Sequence, residues 1–517
     1  MQRPATLKPV KTVFFAVLIA HLAACAPVGP DFVKPEAELP PGWSQARENG
    51  LEASPINQPQ WWRVFNDQVL DRLVETAWQQ NNSLEIAGLR VLEARAQLGI
   101  AQGNRYPQSQ LAAGNATYVS PADNVGGGSN AWQYGIGASA SWEIDFWGRF
   151  RRGIESADAA YMASIAARDQ ALILLTAQVV NTYTTLRINE EQLRIAHENV
   201  EIQQRSYDIT SVLYRNGSES ELDMQQAHTL LLSTQATIPG FEVSTKQARN
   251  ALSTLLGKPP GAVDHLITGD QGIPVLPENV EVGIPAELLR RRPDVRQAEF
   301  NAMAQNALVG LAEADLYPSF SITGSIGLVS GGPGGSDFGD LFSGDALAFS
   351  IGPSFVWPFL NYGRIRNNVR VQDARLQQTL VAYRETVIQA SREAEDAMVA
   401  FNGTQAQTQI LEKTVESAQR SNKLSLLRYR EGFSDYQRVL DSQQALFTQQ
   451  QRLVGNRGTA VLNLVGLYKA LGGGWEHQDE LPMISDQSRG QMEQRANWGE
   501  LLEPGIPTSD SSTDNGQ

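Results

Sequence analysis

Two halves of this sequence contain the same landmarks in the same order. Tyr106-Pro107 in the first half corresponds to Tyr317-Pro318 in the second, and Gly148-Arg149 corresponds to Gly363-Arg364. Residues 214–217 read Tyr-Arg-Asn-Gly, and residues 429–432 read Tyr-Arg-Glu-Gly. The offset between the halves changes from 211 to 215 residues along the chain, a difference that a surface loop can absorb. The sequence therefore predicts an internal duplication of about 200 residues, far longer than a solenoid repeat of about 20 to 50.

Each half also contains a long stretch without proline, at residues 122–238 and 359–481. Sixty-nine positions separate Gly148 from Gly217, and the same number separates Gly363 from Gly432. A single α-helix of that length extends for about 100 Å. Apolar residues recur every seven positions in both stretches, as in a coiled-coil seam. They are Leu172, Val179, Leu186, Leu193 and Val200, and, in a weaker pattern, Val387, Ala394, Phe401, Thr408 and Val415.

Gly217 and Gly432 are predicted to end these long helices. Glycine readily adopts the positive φ that the C-terminal cap of a helix requires. We therefore expect each long helix to reverse at its glycine and to pack against a returning helix. The returning helices are predicted at residues 221–256 and 436–471.

Ahead of each long helix, the apolar pattern changes to a period of two. Phe or Ile alternates with Ser or Thr through residues 319–328, and residues 133–144 and 349–357 alternate in a similar way. This period predicts β-strands with two different faces. Strands of about ten residues match a membrane β-barrel, although a soluble antiparallel sheet alternates in the same way. The segments 120–130 and 330–345 are predicted to be exposed loops because they are rich in glycine.

Two strands in each half make four strands per chain, and four strands are too few to enclose a pore. An open sheet edge in lipid leaves unpaired backbone groups, each of which costs several kcal/mol. If the sheet spans a membrane, several copies of the chain must therefore assemble to close it.

The N-terminus has the pattern of an export signal. Basic residues precede a short apolar stretch, which is followed by Leu22-Ala-Ala-Cys25. We predict a signal peptide at residues 1–24, with cleavage before Cys25. Cys25 is the only cysteine in the 517 residues, so a disulfide framework is excluded. The alternative interpretation of Cys25 is a small buried apolar residue.

Composition excludes several functional classes. The net charge is −14, with 42 basic and 56 acidic residues, which argues against nucleic acid as a partner. After the first thirty residues there is no apolar run of eighteen, so a helical membrane transporter is not expected. Phosphate-binding loops and zinc-protease motifs are absent, and the five histidines are scattered. We therefore predict neither an enzyme nor a cofactor or metal site.

Five segments together resemble the TolC-like outer-membrane efflux channel family, in its lipoprotein, NodT-like branch, which serves resistance-nodulation-division pumps. The resemblance extends to about Trp475. The segments that carry it are Cys25-Ala-Pro-Val-Gly-Pro-Asp31, Trp61-Trp62, Ile284-Pro-Ala-Glu-Leu-Leu-Arg-Arg-Arg-Pro-Asp294, Tyr429-Arg-Glu-Gly432 and Leu467-Tyr-Lys-Ala-Leu-Gly-Gly-Gly-Trp475.

The resemblance implies a mixed fold in an obligate homotrimer. Three chains would form a 12-stranded transmembrane β-barrel, joined to a long periplasmic α-helical barrel and to an equatorial α/β region. It also implies a covalent lipid on Cys25, and Ala26 at the next position implies the outer membrane as the destination. The predicted segments are a signal peptide at 1–24, a lipid-anchored segment at 25–65, repeats at 66–283 and 284–475, and an acidic, partly disordered tail at 476–517.

The family gate lies at the helix reversals, here around Gly217 and Gly432. By position, Asp223 and Asp441 match family constriction carboxylates, although a solvated helix face explains them equally well. Gln437 stands where the branch often has an apolar plug, and Arg438 stands where a relative has another carboxylate. Tyr214 and Tyr429 either join the reversals through phenolic hydrogen bonds or simply pack.

The resemblance implies the outer-membrane channel of a tripartite efflux system, a passive duct whose energy comes from its partners. Those partners are a periplasmic adaptor, docked at residues 213–222 and 427–436, an inner-membrane resistance-nodulation-division pump and outer-membrane lipid. Two other functions stay open, namely the outer-membrane component of type I protein secretion and a coiled-coil lipoprotein scaffold that does not span the membrane. The sequence does not indicate which cargo passes.

Overall fold

The computed structural model describes most of the chain. The described residues are 27–36, 42–44, 51–52, 60–120, 130–267, 269, 272–277, 280–281, 291–330, 337–475 and 481–502. The predicted signal peptide, the predicted lipidation site at Cys25 and most of the 284–294 motif lie outside these residues.

The described residues are mostly helical, with one four-stranded sheet and one short strand pair. The helices are α1 (Gln68–Gln80), α2 (Asn82–Gly103), α3 (Arg149–Arg215), α4 (Glu221–Gln235), α5 (Ile238–Leu255), α6 (Pro293–Ala314), α7 (Arg364–Arg430), α8 (Gln437–Ala470) and α9 (Asp486–Arg495). The strands are β1 (Leu51–Glu52), β2 (Ser109–Val119), β3 (Ala131–Ile144), β4 (Val280–Glu281), β5 (Ser319–Ser330) and β6 (Leu347–Val356). Short 3-10 helices lie at Trp61–Phe65, Phe338–Phe342 and Gly499–Leu502.

The two long helices confirm the prediction from the proline-free stretches. α3 and α7 each contain 67 residues, and each therefore extends for about 100 Å. Both begin directly after a glycine with positive φ, Gly148 at 78° and Gly363 at 80°. No helix among the described residues is both long and apolar enough to cross a membrane.

The first compact unit comprises Met1–Pro35, Leu92–Ala163 and Ala298–Tyr383, and it contains the four-stranded sheet. The strand order is β2-β3-β5-β6, with every neighbouring pair antiparallel. β2 and β6 are therefore the two edges of the sheet. Each half of the sequence supplies one hairpin, and the two hairpins meet where β3 pairs with β5.

The two faces of this sheet differ in chemistry, as the period of two predicts. Side chains of directly paired residues lie on the same face of a sheet. One face carries exposed apolar residues, including Tyr118, Trp132, Ile136, Ile326, Phe349 and Phe355. The opposite face carries mainly small and hydroxyl residues, including Ser139, Ser141, Thr323, Ser325, Ser350 and Ser354. On that face the hydroxyls of Ser325 and Ser350 lie 2.8 Å apart.

The second compact unit comprises Glu36–Val91, Ser164–Gln297 and Arg384–Gln517. It contains β1, which pairs in parallel with β4. The predicted seam residues of its helices are largely buried. Leu172, Val179, Leu186, Val387, Ala394, Phe401 and Val415 are all in the core. The period of seven in the pattern thus marks the sides of α3 and α7 that pack against other helices.

The first returning helix differs from its prediction. A continuous helix was expected over residues 221–256, but α4 ends at Gln235 and α5 begins at Ile238. Pro239, in the first turn of α5, has no N–H to donate and its ring crowds the carbonyl four residues earlier. The second returning helix has no proline, and α8 runs unbroken over Gln437–Ala470, in agreement with the prediction for 436–471.

The predicted loop at 330–345 and the predicted tail both contain ordered structure. The loop contains the 3-10 helix Phe338–Phe342, with Leu341 buried. In the tail, Ser485 donates to Glu85 of α2 from its backbone nitrogen at 3.1 Å and from its hydroxyl at 2.6 Å. Hydrogen bonds from the side chains of Ser485 and Ser488, together with the one from the Ser485 backbone, lower the pKa of the Glu85 carboxyl. Residues 503–517, where disorder was predicted, lie outside the described residues.

Close backbone packing between α2 and this tail segment gives a testable prediction. A Cβ added at Gly88 would lie 1.8 Å from the carbonyl oxygen of Met483, so Gly88→Ala must displace residues 481–502 or shift the helix. We expect a loss of about 1–3 kcal/mol in the free energy of unfolding, as for overpacked cores. Limited proteolysis should also cleave the displaced C-terminal segment faster.

Gly99→Ala in the same helix is the matched control, because nothing lies within 4 Å of its added Cβ. There the better helix propensity of alanine should stabilise the protein by up to about 1 kcal/mol. Equal protease resistance of the C-terminal segment in the two variants would show that residues 481–502 do not pack tightly on α2.

Candidate functional site

The reversals after the two long helices have the same backbone geometry. At the first, the N–H of Gly217 donates to the carbonyl of Tyr214 at 2.9 Å, and the N–H of Ser218 donates to that of Leu213 at 2.9 Å. The corresponding bonds after α7 run from Gly432 to Tyr429 at 3.0 Å and from Phe433 to Arg428 at 2.8 Å. This pair of bonds is a Schellman motif, in which the glycine must adopt positive φ.

Both glycines meet that requirement, with φ of 71° at Gly217 and 76° at Gly432. The structure thus confirms that the helices end where the sequence analysis placed their ends. Because no atom lies within 4 Å of a Cβ built at either position, conformation rather than crowding requires glycine there.

The returning helices begin differently after the two reversals. Ser220 caps α4, since its hydroxyl oxygen accepts from the backbone N–H of Asp223 at 3.2 Å. The same hydroxyl lies 2.5 Å from a carboxylate oxygen of Asp223 and donates to it. At the start of α8, Tyr436 occupies the cap position, and its side chain makes no capping hydrogen bond. The second reversal is therefore held by packing where the first is held by a polar cap.

A buried cluster joins the two reversals. Its buried members are Ala227 of α4, Tyr429 of α7, and Tyr436 with Val439 at the start of α8. Tyr207, Ile209, Leu213, Leu426 and Leu440 pack around it. Side chains of α3, α4, α7 and α8 therefore meet in one place, which we call the reversal cluster.

The two duplicated tyrosines occupy different environments. Tyr429 is 7% exposed and meets Tyr436 edge to face, with ring centroids 5.4 Å apart. Tyr214, its counterpart in the first half, is 38% exposed and outside the cluster. Of this predicted pair, only Tyr429 is in a position to hold the reversals together.

Each tyrosine hydroxyl of the cluster has one polar neighbour, Glu219 for Tyr429 and Ser206 for Tyr436. Neither the Tyr429 nor the Tyr436 hydroxyl has a well-directed hydrogen-bond partner among the described residues. Burial, together with the negative charge of Glu219, raises the pKa of Tyr429. Burial, together with the charge of Asp223, raises the pKa of Tyr436 to about 12. Both phenols therefore stay neutral near pH 7, as an apolar cluster requires.

The predicted gate carboxylates lie at the start of the two returning helices. Asp223 is half-buried and is held by Ser220, as described above. Asp441 is exposed and accepts a hydrogen bond of 2.8 Å from the amide of Gln437. Arg438 is also exposed, and its guanidinium lies 3.8 Å from the carboxylate of Asp435. An exposed ion pair of this kind contributes little to stability.

A polar layer next to the reversal cluster was not predicted from the sequence. The buried amide of Gln443 in α8 donates to the hydroxyl of Ser206 in α3 at 2.7 Å. The hydroxyls of Ser425 in α7 and Ser442 in α8 lie 2.6 Å apart. No sequence signal marks these four residues, since Ser and Gln are ordinary on solvated helix faces. Their role follows only from the pairing of α8 with both long helices.

One family model matches both halves of the chain. The family model described as "Outer membrane efflux protein" matches residues 73–258 and again residues 284–473. The two matched blocks lie within the predicted repeats at 66–283 and 284–475.

No group of three or more His, Cys, Asp or Glu residues in the described part of the chain is arranged to hold a metal ion.

Similar proteins cover nearly the same span. The cation efflux system protein CusC of Escherichia coli O6:H1 is 30% identical over 474 residues, which cover 91% of this chain and all of CusC. The probable outer membrane lipoprotein SilC of Salmonella typhimurium is 29% identical over 455 residues, covering 88% of this chain and 96% of SilC. The solved structure of the outer-membrane channel OprN matches with a TM-score of 0.81 and 30% identity, covering 87% of this chain and 99% of OprN.

Proposed function

This chain belongs to the outer membrane efflux protein family, and we propose that it forms the outer-membrane channel of a tripartite efflux system. In this proposal the protein is a passive duct through the periplasm and the outer membrane. It has no catalytic role, and its partners supply the energy for transport.

A homotrimer with a 12-stranded barrel is the assembly that we propose. The observation that carries this proposal is the two-faced sheet with its edges, β2 and β6, at opposite sides. Its apolar face suits lipid and its hydroxyl-rich face suits a water-filled lumen. Since one copy cannot close four strands into a barrel, the open edges are satisfied by pairing with the next copy.

The reversals around Gly217 and Gly432 are the proposed gate. Asp223 and Asp441 are acidic groups at this end of the helices, and threefold symmetry would repeat them as rings. Rings of carboxylates around a narrow pore favour cations. The reversal cluster keeps the two reversals of one chain together and thereby holds the gate closed.

The proposed partners follow from family membership. A periplasmic adaptor would dock at the reversals, residues 213–222 and 427–436, and an inner-membrane resistance-nodulation-division pump would drive transport. A lipid on Cys25 would anchor each chain to the outer membrane. This anchor accords with the description of SilC as a probable outer membrane lipoprotein. A lipid chain adds to membrane affinity but does not replace the spanning sheet.

Reconstitution of the purified mature protein, with Cys25→Ser to remove the anchor, tests the channel proposal. We expect trimers that dissociate on heating, a requirement for detergent, and discrete single-channel conductance in planar bilayers. The lipid is not needed for these properties because the apolar face of the sheet supplies the membrane affinity.

A Cys25→Ser protein that is monomeric and stays in solution without detergent would contradict the proposal. It would favour a scaffold lipoprotein that is tethered to the membrane without spanning it.

A further inference from the structure

Within each half, the strand hairpin is attached to its preceding helix by the same contact. The indole N–H of Trp142 donates to the carbonyl of Arg105 at 3.2 Å, and that of Trp357 donates to the carbonyl of Leu316 at 3.1 Å. The two Tyr-Pro corners are also alike. Tyr106 N–H bonds to Gly103 and Tyr317 N–H bonds to Ala314, both at 3.2 Å. The duplication therefore extends to individual hydrogen bonds.

A second kind of contact joins the first half to the second half. Trp147, just after β3, stacks on Tyr317, with ring centroids 4.5 Å apart and planes inclined by 22°. Its indole N–H donates to the carbonyl of Pro318 at 2.8 Å. Beside this stack, the guanidinium of Arg149 lies 3.6 Å from the carboxylate of Asp315. The Tyr-Pro corner of the second half thus binds an aromatic residue of the first half through a ring stack and a hydrogen bond.

The residues that correspond to Trp147 and Tyr317 do not contact each other within a single chain. Trp147 corresponds to Tyr362, because both directly precede the glycine that starts a long helix. Tyr362 is 99% exposed, and it adopts a positive φ of 48°, which is strained for a tyrosine. Tyr106, the counterpart of Tyr317, is 69% exposed. Tyr362 follows the edge strand β6 and Tyr106 precedes the opposite edge strand β2, so they cannot pair within one chain.

We propose that Tyr362 of one copy stacks on the Tyr106-Pro107 corner of the next copy, where it repeats the contact of Trp147 with Tyr317. This inference rests on the proposed trimer and identifies the residues that join its copies. Three such contacts close the ring, because each copy presents the tyrosine at one edge and the corner at the other. In the assembly, each of the two exposed residues is then covered by the other from the adjacent copy.

The same symmetry predicts the register between copies. Ile136 of β3 pairs with Leu328 of β5 inside the chain. At the offset of 215, Ile351 of β6 corresponds to Ile136 and Leu347 corresponds to Trp132. Because Trp132 pairs with Tyr118 and Leu347 pairs with Leu328, Tyr118 of β2 is the structural counterpart of Leu328. Ile351 and Tyr118 both lie on the apolar face. They are therefore expected to face each other across the boundary between copies. Side chains at directly opposed positions contact each other, so this register continues the apolar face around the ring.

A pair of cysteines tests the proposed contact. The variant Tyr106→Cys with Tyr362→Cys, in a Cys25→Ser background, should form covalent dimers and trimers when membranes are treated with a short bismaleimide. Each single variant should form neither. The matched control is Tyr317→Cys with Tyr362→Cys, because Tyr317 already stacks on Trp147 and precedes β5, an interior strand of the sheet. It too should stay monomeric on denaturing gels.

The outcomes separate this inference from the proposed function. Native trimers that conduct ions but never cross-link between positions 106 and 362 would overturn the inference and leave the channel proposal intact. Absence of any trimer would overturn both.

A second measurement uses the stability of the trimer. Tyr362→Ala should lower the trimer-to-monomer ratio by roughly tenfold or more, since three aromatic stacks are lost at once. Tyr362→Phe should restore it, because a ring without a hydroxyl still stacks. The fold of the single chain should be unchanged, as judged by circular dichroism, because the Tyr362 side chain makes no buried contact there. An unchanged ratio in Tyr362→Ala would overturn the inference.

Discussion

Tyr436→Ala is expected to open the periplasmic end of the channel. The Tyr436 side chain is 2% exposed and packs against Tyr429, Ala227 and Val439, so its removal leaves a cavity where α4, α7 and α8 meet. Truncation of a buried aromatic residue costs about 3–5 kcal/mol. If the reversal cluster separates when the gate opens, this cost falls on the closed state alone. The closed-to-open ratio then falls by a factor of more than about 100.

Single-channel recording in planar bilayers measures this change as a higher open probability or a larger resting conductance. Tyr436→Phe is the control that keeps the ring and removes the hydroxyl. Because that hydroxyl has no well-directed partner among the described residues, the Phe variant should resemble the wild type. Tyr214→Ala, at the exposed counterpart of Tyr429, should also have little effect. A leaky Phe variant would instead show that a phenolic hydrogen bond closes the gate.

Asp223→Asn combined with Asp441→Asn is expected to reduce the cation preference of the channel. Asparagine has nearly the same shape as aspartate and removes only the charge. Six carboxylates would be neutralised in a trimer, and focused potentials of this kind raise local cation concentration by about tenfold or more. We therefore expect the cation-to-anion permeability ratio to fall by about tenfold at about 0.1 M salt, where the Debye length is about 10 Å.

Reversal potentials under a salt gradient measure that ratio. Glu416→Gln is a suitable control, since Glu416 is an exposed carboxylate about four helical turns before Gly432 on α7. It should leave the ratio unchanged if selectivity is set at the reversals. Asp441→Asn alone should produce part of the effect without disturbing the fold, because Asp441 is exposed. An unchanged ratio in the double variant would remove both carboxylates from the gate.

Much of the fold could be predicted from local patterns. The change from a period of two to a period of seven marked β3, β5 and β6 and the helices that follow β3 and β6. No bounds were predicted for strand β2, because Ala112, Ala113 and Gly114 blur its alternation. The tail helix at Asp486–Arg495 was missed because it is polar along most of its length. Its position depends instead on the contact of Ser485 with Glu85, 400 residues away in sequence.

The candidate site was predicted in outline but not in its contacts. Its place in the chain followed from Gly217 and Gly432, and Asp223 and Asp441 follow those glycines closely. Tyr436 and the pair Ser206 and Gln443 were not predicted. Their importance comes from burial between helices that are up to 237 residues apart, and no local pattern records such a contact.

The sequence by itself determined the duplication, the two long helices with their glycine ends, and the two-faced strands. Each of these depends on the periodicity of neighbouring residues or on the φ preference of a single residue, and both are local properties. Only the tertiary structure decided which copy of a duplicated residue became buried. Tyr429 is enclosed by Tyr436 and its neighbours whereas Tyr214 is not, and Trp147 has a stacking partner in its own chain whereas Tyr362 does not. The reason is that corresponding local sequences meet different neighbours once the chain folds.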